Sequence, residues 1–153
     1  MAATVSDGNL YSDAYGSLHS PSDVRRHPGR GWYSNVMSYY HDYMLTMQDD
    51  GNLVLYAISD VNGVHCGGIG SYWAFKNRGA VWSSNTASQP HNVAVMQNDG
   101  NLVIYGDGGY VRWASNTGDR PYSTRYSLTV QDDSNLVIYI GAQPIWDRYN
   151  GAL

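Results

Sequence analysis

Short stretches of alternating apolar and polar residues recur along the chain, and three of them end in glutamine: YMLTMQ, NVAVMQ and YSLTVQ. Alternation with a period of two predicts a half-buried β-strand. Each stretch is followed by a turn signal and then by Leu-Val-hydrophobic-Tyr, which is typical of a second strand. Asp-Gly in the first two turns predicts a two-residue hairpin turn with positive φ at both central residues. Asp133-Ser134 in the third tolerates that turn less well.

These hairpins belong to an internal repeat that aligns without gaps. The copies are MQDDGNLVLY (Met47–Tyr56), MQNDGNLVIY (Met96–Tyr105) and VQDDSNLVIY (Val130–Tyr139), here called motifs one, two and three. A tryptophan segment follows each motif: AVWSSNT, VRWASNT and PIWDRYN. With this segment as a further strand, three units of about four short strands predict one all-β domain with pseudo-threefold symmetry.

Two insertions and a weak echo of the motif interrupt the regularity of this single domain, residues 1–153. One insertion lies near residues 20–31, and the other, near 57–75, is expected to be a long loop or an extra hairpin. The segment SDGNLYSDAY (Ser6–Tyr15) has the Asp and Asn of the motif but lacks its Gln and Val. We therefore expect an ordinary outer strand there, not a fourth site.

The outward face of each hairpin gathers a Gln, an Asp, an Asn, a Val and a Tyr, because side chains two apart on a strand share a face. Sugar hydroxyls both donate and accept hydrogen bonds, and this set offers both functions beside a small apolar surface. Two other interpretations stay open. Asp and Asn beside a turn often bond to their own backbone, and a repeat alone can reflect symmetric packing. The residues themselves predict three polar pockets suited to a small polyhydroxylated ligand.

Composition narrows the possible functions. The formal net charge is −4, which argues against non-specific nucleic-acid binding, since that depends on Lys and Arg neutralising phosphates. The basic stretch RRHPGRG is expected to be a solvated loop. The five histidines are scattered outside the motifs (His19, His27, His41, His65 and His91). We expect no enzyme, no cofactor and no metal site.

The single cysteine, Cys66, excludes an internal disulfide. The opening residues MAATVSDGNLY lack the charged and apolar regions of a secretory signal, and no apolar run reaches the length of a membrane span. We expect a protein without membrane insertion, located in the cytoplasm or secreted by a non-classical route.

The pattern Gln-x-Asp-x-Asn-x-Val-x-Tyr, repeated three times with Trp-x-Ser-Asn-Thr between copies, resembles the bulb-type (monocot) mannose-binding lectins. The resemblance implies a β-prism II fold of three four-stranded antiparallel sheets, with Trp82, Trp113 and Trp146 packed near the axis. It also implies mannose and mannosylated glycans as partners. Asp and Asn would bind the axial 2-hydroxyl, Gln the 3-hydroxyl and Tyr the 4-hydroxyl, with Val beneath the ring. The implied carbohydrate-binding residues are Gln48, Asp50, Asn52, Val54, Tyr56, Gln97, Asp99, Asn101, Val103, Tyr105, Gln131, Asp133, Asn135, Val137 and Tyr139.

Plant members of that family usually carry a Cys where this chain has Gly51, which fits a non-plant or cytoplasmic member. A homodimer is expected, because family members often exchange C-terminal strands and the tail Ile145–Leu153 is long enough to do so. The alternative function is protein–protein interaction through a lectin fold with vestigial sugar sites. Among the three motifs, we expect motif two to bind best because its sequence context is the most regular.

Overall fold

The computed structural model describes residues 3–5, 7–12, 16–20, 33–60, 75–88 and 91–153 as a set of β-strands with one short 3-10 turn at Asp107–Gly109. Within these ranges no helix has the length and apolar character needed to cross a membrane. The strands, in chain order, are β1 (Ala3–Val5), β2 (Asn9–Tyr11), β3 (Ser17–His19), β4 (Tyr33–Met37), β5 (Tyr43–Met47), β6 (Leu53–Asp60), β7 (Phe75–Ser83), β8 (Val93–Met96), β9 (Leu102–Tyr105), β10 (Val111–Ala114), β11 (Tyr126–Val130), β12 (Leu136–Ile140), β13 (Gln143–Asp147) and β14 (Gly151–Ala152).

The strands form three sheets, each built around one motif hairpin. Sheet one has the order β1-β4-β5-β6-β7, sheet two β10-β9-β8-β3, and sheet three β14-β13-β12-β11-β2. In each sheet the hairpin and the following tryptophan strand are consecutive in sequence. The N-terminal part of the chain adds β1 and β4 to sheet one, β3 to sheet two and β2 to sheet three. The expected all-β fold with three antiparallel sheets is confirmed.

Two sheets have five strands where four were expected. In sheet one, β1 runs parallel to β4, and in sheet three β14 folds back on β13. Both additions are short strands that pair with the unpaired edge of the sheet, where backbone N–H and C=O groups would otherwise face solvent.

The core lies between the sheets, where the alternating apolar residues meet. Leu45, Leu55, Ile104, Leu128 and Ile138 are each 0% exposed and belong to one cluster. Burying a side chain of this size contributes about 1.5–3 kcal/mol. The period-two pattern therefore assigns one face of each hairpin to the core and leaves the motif side chains on the other.

The three tryptophans pack against one another, as the resemblance implied. Trp82, Trp113 and Trp146 form three edge-to-face pairs with ring centroids 5.7, 6.2 and 5.9 Å apart. This geometry aligns the positive edge of one ring with the negative face of the next. One residue from each sheet thus closes the fold around the pseudo-threefold axis.

The insertion near 57–75 is described only at its base. There β6 and β7 continue to pair beyond the end of motif one, with Ile58 opposite Asn77 and Asp60 opposite Phe75. Residues 61–74, which include Cys66, and residues 21–32, which hold most of the first insertion and the basic stretch, lie outside the described ranges. The expectation of an outer strand within Ser6–Tyr15 is confirmed, since β2 is the edge of sheet three and pairs with β11.

The hairpins themselves are as predicted, but the prediction of a two-residue Asp-Gly turn is wrong. The Gln48 N–H donates to the Asn52 carbonyl (2.9 Å), so the loop contains three residues, and the Gly51 N–H donates to the Gln48 carbonyl (3.0 Å). Only the last loop residue has positive φ, at 88° for Gly51, 90° for Gly100 and 80° for Ser134. A three-residue loop of this kind needs one left-handed residue, not two, and Ser134 can supply it.

Candidate functional site

The motif valines form a shielded apolar floor on the outer face of each sheet. Val54, Val103 and Val137 are each 3% exposed, yet none belongs to the core cluster between the sheets. Asn, Val and Tyr alternate with core residues along β6, β9 and β12 and therefore point outward together. Each hairpin thus holds a small apolar patch with polar side chains around it.

The Gln and Tyr of each motif are hydrogen-bonded across the hairpin. The side-chain amide of Gln48 donates to the Tyr56 hydroxyl, and that of Gln97 donates to the Tyr105 hydroxyl. In motif three the amide orientation that satisfies both ends has the Gln131 oxygen accepting from Tyr139 (2.5 Å) and its nitrogen donating to Asp133 Oδ1 (3.1 Å). The structure therefore brings together residues eight positions apart in sequence.

The motif aspartates cap their own turns with one oxygen. Oδ1 of Asp50, Asp99 and Asp133 accepts from the backbone N–H two residues later, at 2.9, 3.0 and 2.9 Å. This is the backbone role that turn residues commonly have. It uses one carboxylate oxygen, and in motifs one and two Oδ2 accepts no hydrogen bond from the described part of the chain.

In motif one the Asn side chain is held by the segment after the tryptophan. Oδ1 of Asn52 accepts from Ser84 Oγ (3.2 Å) and from the Thr86 N–H (3.1 Å). Ser84 Oγ also accepts from the Leu53 N–H (3.1 Å). Because the amide oxygen is occupied, the amide nitrogen is the end left to donate outward.

Motif two repeats this arrangement. Oδ1 of Asn101 accepts from Ser115 Oγ (3.0 Å) and from the Thr117 N–H (3.3 Å), and Ser115 Oγ accepts from the Leu102 N–H (2.9 Å). We call the serine and threonine that hold the Asn the Ser-x-Thr bracket: Ser84 and Thr86 for motif one, Ser115 and Thr117 for motif two. All four side chains are buried.

Motif three has no such bracket, because Arg148 and Asn150 stand where the serine and threonine would be. Oδ1 of Asn135 instead accepts from the Leu136 N–H (2.9 Å). The Asn135 amide bonds to Asp147. Partial burial raises the pKa of Asp147, but hydrogen bonds from Asn150, Tyr149 and Asn135 outweigh this effect and lower the pKa below the ordinary aspartate value.

The turn carbonyls are held differently as well. The Gly51 carbonyl accepts from Thr86 Oγ1 and the Gly100 carbonyl from Thr117 Oγ1, both at 2.6 Å. In motif three the Ser134 carbonyl accepts from Arg148 Nε (2.7 Å), and the Arg148 guanidinium lies 4.0 Å from the centre of the Tyr149 ring. A guanidinium thus takes the place of a buried hydroxyl.

The Ser-x-Thr bracket is the part of the site that sequence reasoning missed. Its signal was present: Trp-x-Ser-Asn-Thr follows motifs one and two, but not motif three. The asparagine between the serine and threonine adopts a left-handed conformation, with φ of 58° at Asn85 and 60° at Asn116, which asparagine tolerates better than most residues. Trp-x-Ser-Asn-Thr is therefore a positioning motif as well as a core anchor.

The described histidines, His19, His41 and His91, lie outside the three motifs in sequence. His19 lies on β3 with its Nε2 3.1 Å from Ser17 Oγ, and His91 Nδ1 lies 3.3 Å from Asp107. Across the described ranges, no three His, Cys, Asp or Glu side chains come close enough to hold a metal ion.

Proteins that are similar to this chain in sequence and in fold include lectins. A mannose-specific lectin of Aloe arborescens is 32% identical over 120 residues, which cover 78% of this chain and 90% of that protein. The chain belongs to the bulb-type lectin family. No protein-family model matches the chain.

Solved structures of other bulb-type lectins share the fold. A monomeric monocot mannose-binding lectin from Gastrodia elata superposes with a TM-score of 0.63 at 30% identity, covering 95% of this chain and all of that one. The mannose-specific agglutinin of snowdrop (Galanthus nivalis), solved with methyl-α-D-mannoside, superposes with a TM-score of 0.52 at 27% identity, covering 87% and 89% of the two chains. The fold is therefore a β-prism II, and these relatives are carbohydrate-binding proteins rather than enzymes.

Proposed function

We propose that this bulb-type lectin binds terminal mannose through the outward faces of its three motif hairpins. The observation that carries the proposal is that each hairpin surrounds a shielded valine with the same Gln, Asp, Asn and Tyr side chains. The mannose specificity of the Aloe arborescens and snowdrop lectins supports the choice of sugar. The proposed binding residues are the fifteen motif residues named in the sequence analysis.

The Asp–Asn pair is suited to one hydroxyl group that donates and accepts at once. In motif two, Asp99 Oδ2 accepts, while the Asn101 amide nitrogen donates because its oxygen is held by Ser115. We assign this pair to the axial 2-hydroxyl of mannose, Gln97 to the 3-hydroxyl and Tyr105 to the 4-hydroxyl. A sugar with an equatorial 2-hydroxyl would leave the pair without a partner, which costs binding energy.

The three sites lie on three different sheets around one axis, and we propose that the protein is multivalent. Sites that face in different directions bind separate glycans, so one molecule cross-links two glycoproteins or cells. Linked sites raise avidity about 10²–10⁴-fold when the geometry allows simultaneous binding. Agglutination of cells that display mannose follows from this arrangement.

We also propose a homodimer formed by exchange of the C-terminal strand. Within one chain β14 pairs with β13, with Ala152 opposite Trp146, and the Leu153 N–H donates to the Ile145 carbonyl (3.0 Å). An exchanged dimer makes the same bonds between two copies. Analytical ultracentrifugation of the full chain and of a chain lacking residues 151–153 tests this: a dimer that the truncation converts to monomer supports exchange, and a monomeric full chain contradicts it.

The experiment that tests the sugar sites is isothermal titration of methyl-α-mannoside into the wild type and into three variants, Asp50→Asn, Asp99→Asn and Asp133→Asn. Each variant keeps the Oδ1 cap of the turn and removes the charge and one acceptor oxygen. A hydrogen bond to a charged group is worth about 1.5–3 kcal/mol, so each variant is expected to lose about tenfold or more in affinity at its own site. Stoichiometry should fall from three toward two in each.

Asp7 provides a matched control. It belongs to the same Asp-Gly-Asn sequence, and its Oδ1 accepts from the Asn9 N–H at 3.0 Å, but its segment lacks the motif Gln and Val. Asp7→Asn should leave all three sites intact. A folded wild type that binds neither methyl-mannoside nor any mannosylated glycan would overturn the proposal and favour the protein-interaction alternative.

A further inference from the structure

An open groove of about 800 Å³ lies beside motif three on the outer face of sheet three. Gln131 and Tyr139 of the motif form one side of it. The rest is lined by β11, the outer strand β2 and the loop before β11, including Asn9, Tyr11 and Arg125. The groove is therefore continuous with the proposed mannose site and extends away from it across the sheet.

Strand register places polar side chains in two rows along this groove. Ser127 lies between Tyr139 of the motif and Tyr11 of β2, and Thr129 lies between Val137 and Asn9. Residues directly opposite on antiparallel strands point to the same face. Two strand spacings, about 10 Å in total, thus separate the motif from the Asn9–Tyr11 edge.

The valine row of sheet one resembles that of sheet three, since Thr46 lies between Val54 and Asn35, but Asn35 is buried and its amide donates to Thr4 Oγ1 on β1 (3.2 Å).

The tyrosine rows differ. Beside motif one, Met44 and Met37 occupy the row of Tyr56. Beside motif two, Val93 and Val95 lie opposite Tyr105 and Val103. Among the described strands, the position directly beside the motif tyrosine is therefore polar in sheet three (Ser127) and apolar in the other two (Met44 and Val93), with His19 beyond Val93 in sheet two.

The groove carries groups that suit a second sugar. Thr129 Oγ1 donates to Asn9 Oδ1 (2.8 Å) and lies 3.4 Å from Ser127 Oγ, so these side chains form a connected polar floor. Hydroxyls both donate and accept, as sugar hydroxyls require. Tyr11 is 47% exposed at the far edge, and the negative face of its ring attracts sugar C–H groups.

Arg125 completes the rim on the side of the loop after β12. Its Nη2 lies so close to Gly141 that a Cβ there would be 3.4 Å away. Its guanidinium offers several donors in a fixed plane. The chemistry around the groove is that of a neutral hydroxylated ligand rather than of an anion, since one exposed cation stands among hydroxyl, amide and phenol groups.

We propose that the floor formed by Asn9, Tyr11, Ser127 and Thr129 is a subsite for a second hexose, linked to the mannose held by motif three. This inference rests on the proposed function, because the first sugar places the second. It makes motif three selective for a disaccharide or longer chain, whereas motifs one and two bind terminal mannose alone. Asn9 and Tyr11 on β2 thereby belong to site three.

The test uses the double variant Asp50→Asn/Asp99→Asn, in which only site three is intact. Methyl-α-mannoside and the α1,2-, α1,3- and α1,6-linked mannobioses are each titrated into this protein by calorimetry. At least one mannobiose should bind about tenfold more tightly than methyl-mannoside. Adding Tyr11→Ala should reduce that ratio to near one without changing the methyl-mannoside affinity, and adding Arg125→Ala should reduce it in part.

Tyr110→Ala is the matched control, because Tyr110 is a 70% exposed tyrosine on sheet two, and its removal should leave the ratio unchanged. If every mannobiose binds within twofold of methyl-mannoside, or if Tyr11→Ala leaves the preference intact, the subsite is overturned while the mannose site stands. If the double variant fails to bind methyl-mannoside at all, the proposed function of motif three is overturned and the subsite with it.

Discussion

In motif two the amide oxygen of Asn101 is held by Ser115 and the Thr117 N–H, whereas in motif three the amide oxygen of Asn135 accepts from its neighbour Leu136. The two motifs have the same Gln, Asp, Asn, Val and Tyr. The difference lies in the segment after the tryptophan, which is outside the motif. Identical motif side chains can therefore have different hydrogen-bond partners, because the residues that contact them from the following segment differ.

The two motifs also differ in how far they are covered. The segment after Thr117 folds over the motif-two turn, where the Arg120 N–H donates to the Asp99 carbonyl (3.3 Å) and the Ser123 N–H to the Asn98 carbonyl (2.9 Å). Asp99 is half-buried and Asp133 is exposed. Motif two is the more enclosed site, and motif three is the more open one.

The largest expected effect comes from adding a methyl group to the motif-two turn. In Gly100→Ala the new Cβ would lie 2.9 Å from the Thr117 carbonyl oxygen and 3.0 Å from Tyr126 Cε1, at a φ of +90°. Left-handed strain of about 1–2 kcal/mol and overpacking of about 1–3 kcal/mol together should lower the free energy of unfolding by about 3 kcal/mol. Urea unfolding followed by tryptophan fluorescence measures it.

Gly109→Ala separates the two causes, since Gly109 has a φ of +80° but nothing within 4 Å of its Cβ position. It should cost about 1 kcal/mol from strain alone. Equal losses in the two variants would show that the motif-two turn is not tightly packed.

Ser115→Ala should have the next largest effect, because it removes half of the bracket. The buried Leu102 N–H loses its acceptor and Asn101 Oδ1 loses a donor, at about 2 kcal/mol of stability for groups left without partners. Methyl-mannoside affinity should fall at motif two and stay unchanged at motif three. Ser83→Ala is the control, since Ala114 already occupies the equivalent position in the segment after motif two. If Ser115→Ala weakened methyl-mannoside binding at motif three as well as at motif two, the result would contradict this expectation.

Arg148→Ala should weaken sugar binding at motif three. It removes the donors to the Ser134 carbonyl (2.7 Å) and to Ser134 Oγ (3.2 Å), and also a donor to the Val81 carbonyl on β7 (3.2 Å). We expect a loss of about 1–2 kcal/mol in unfolding free energy. Arg148→Lys should recover only part of this, because an ammonium group lacks the planar fork. Thermal unfolding together with sugar titration of the variants checks both points, and weaker binding at motif two would contradict them.

Ser134→Gly should have the smallest effect and the opposite sign. Glycine relieves the strain of a φ of 80°, while the contacts of Ser134 Oγ with Tyr149 Oη (3.0 Å) and with Arg148 Nη2 (3.2 Å) are lost. The net change expected is a stabilisation of about 0.5 kcal/mol, seen as a small rise in Tm. A destabilisation of more than about 0.5 kcal/mol would mean that the lost contacts of Ser134 Oγ outweigh the relief of backbone strain.

The sequence predicted the fold well because each motif repeats its local signals: alternation, turn residues and a β-rich strand. It also predicted the outer strand that forms at Asn9–Tyr11, whereas the tryptophan cluster was implied by the resemblance to the bulb-type lectins. The prediction of the turn type was wrong. Asp-Gly fits both a two-residue and a three-residue loop, and the register of the two strands decides between them. Register also placed Asn9 and Tyr11 beside motif three, a pairing across more than 100 residues that no local pattern reveals.

The side chains proposed to bind sugar could be predicted from the repeat, whereas the hydrogen bonds that position the motif asparagines could not. Ser84 and Ser115 gave a sequence signal, but only the fold shows that these hydroxyls hold the motif asparagines. The homodimer, the preference for motif two and the cytoplasmic or non-classical location stay predictions.

The measurement that tests the central claim most directly is a nuclear magnetic resonance titration of ¹⁵N-labelled protein with methyl-α-mannoside. The side-chain amide signals of Asn52, Asn101 and Asn135 report the three hairpins one by one, and the exposed Asn116 serves as an internal control. The account predicts saturable shifts at all three motif asparagines with separate affinities, and little change at Asn116. The account would be contradicted if none of the three motif asparagines shifted at a saturating concentration of methyl-α-mannoside, or if the shifts were confined to other parts of the chain.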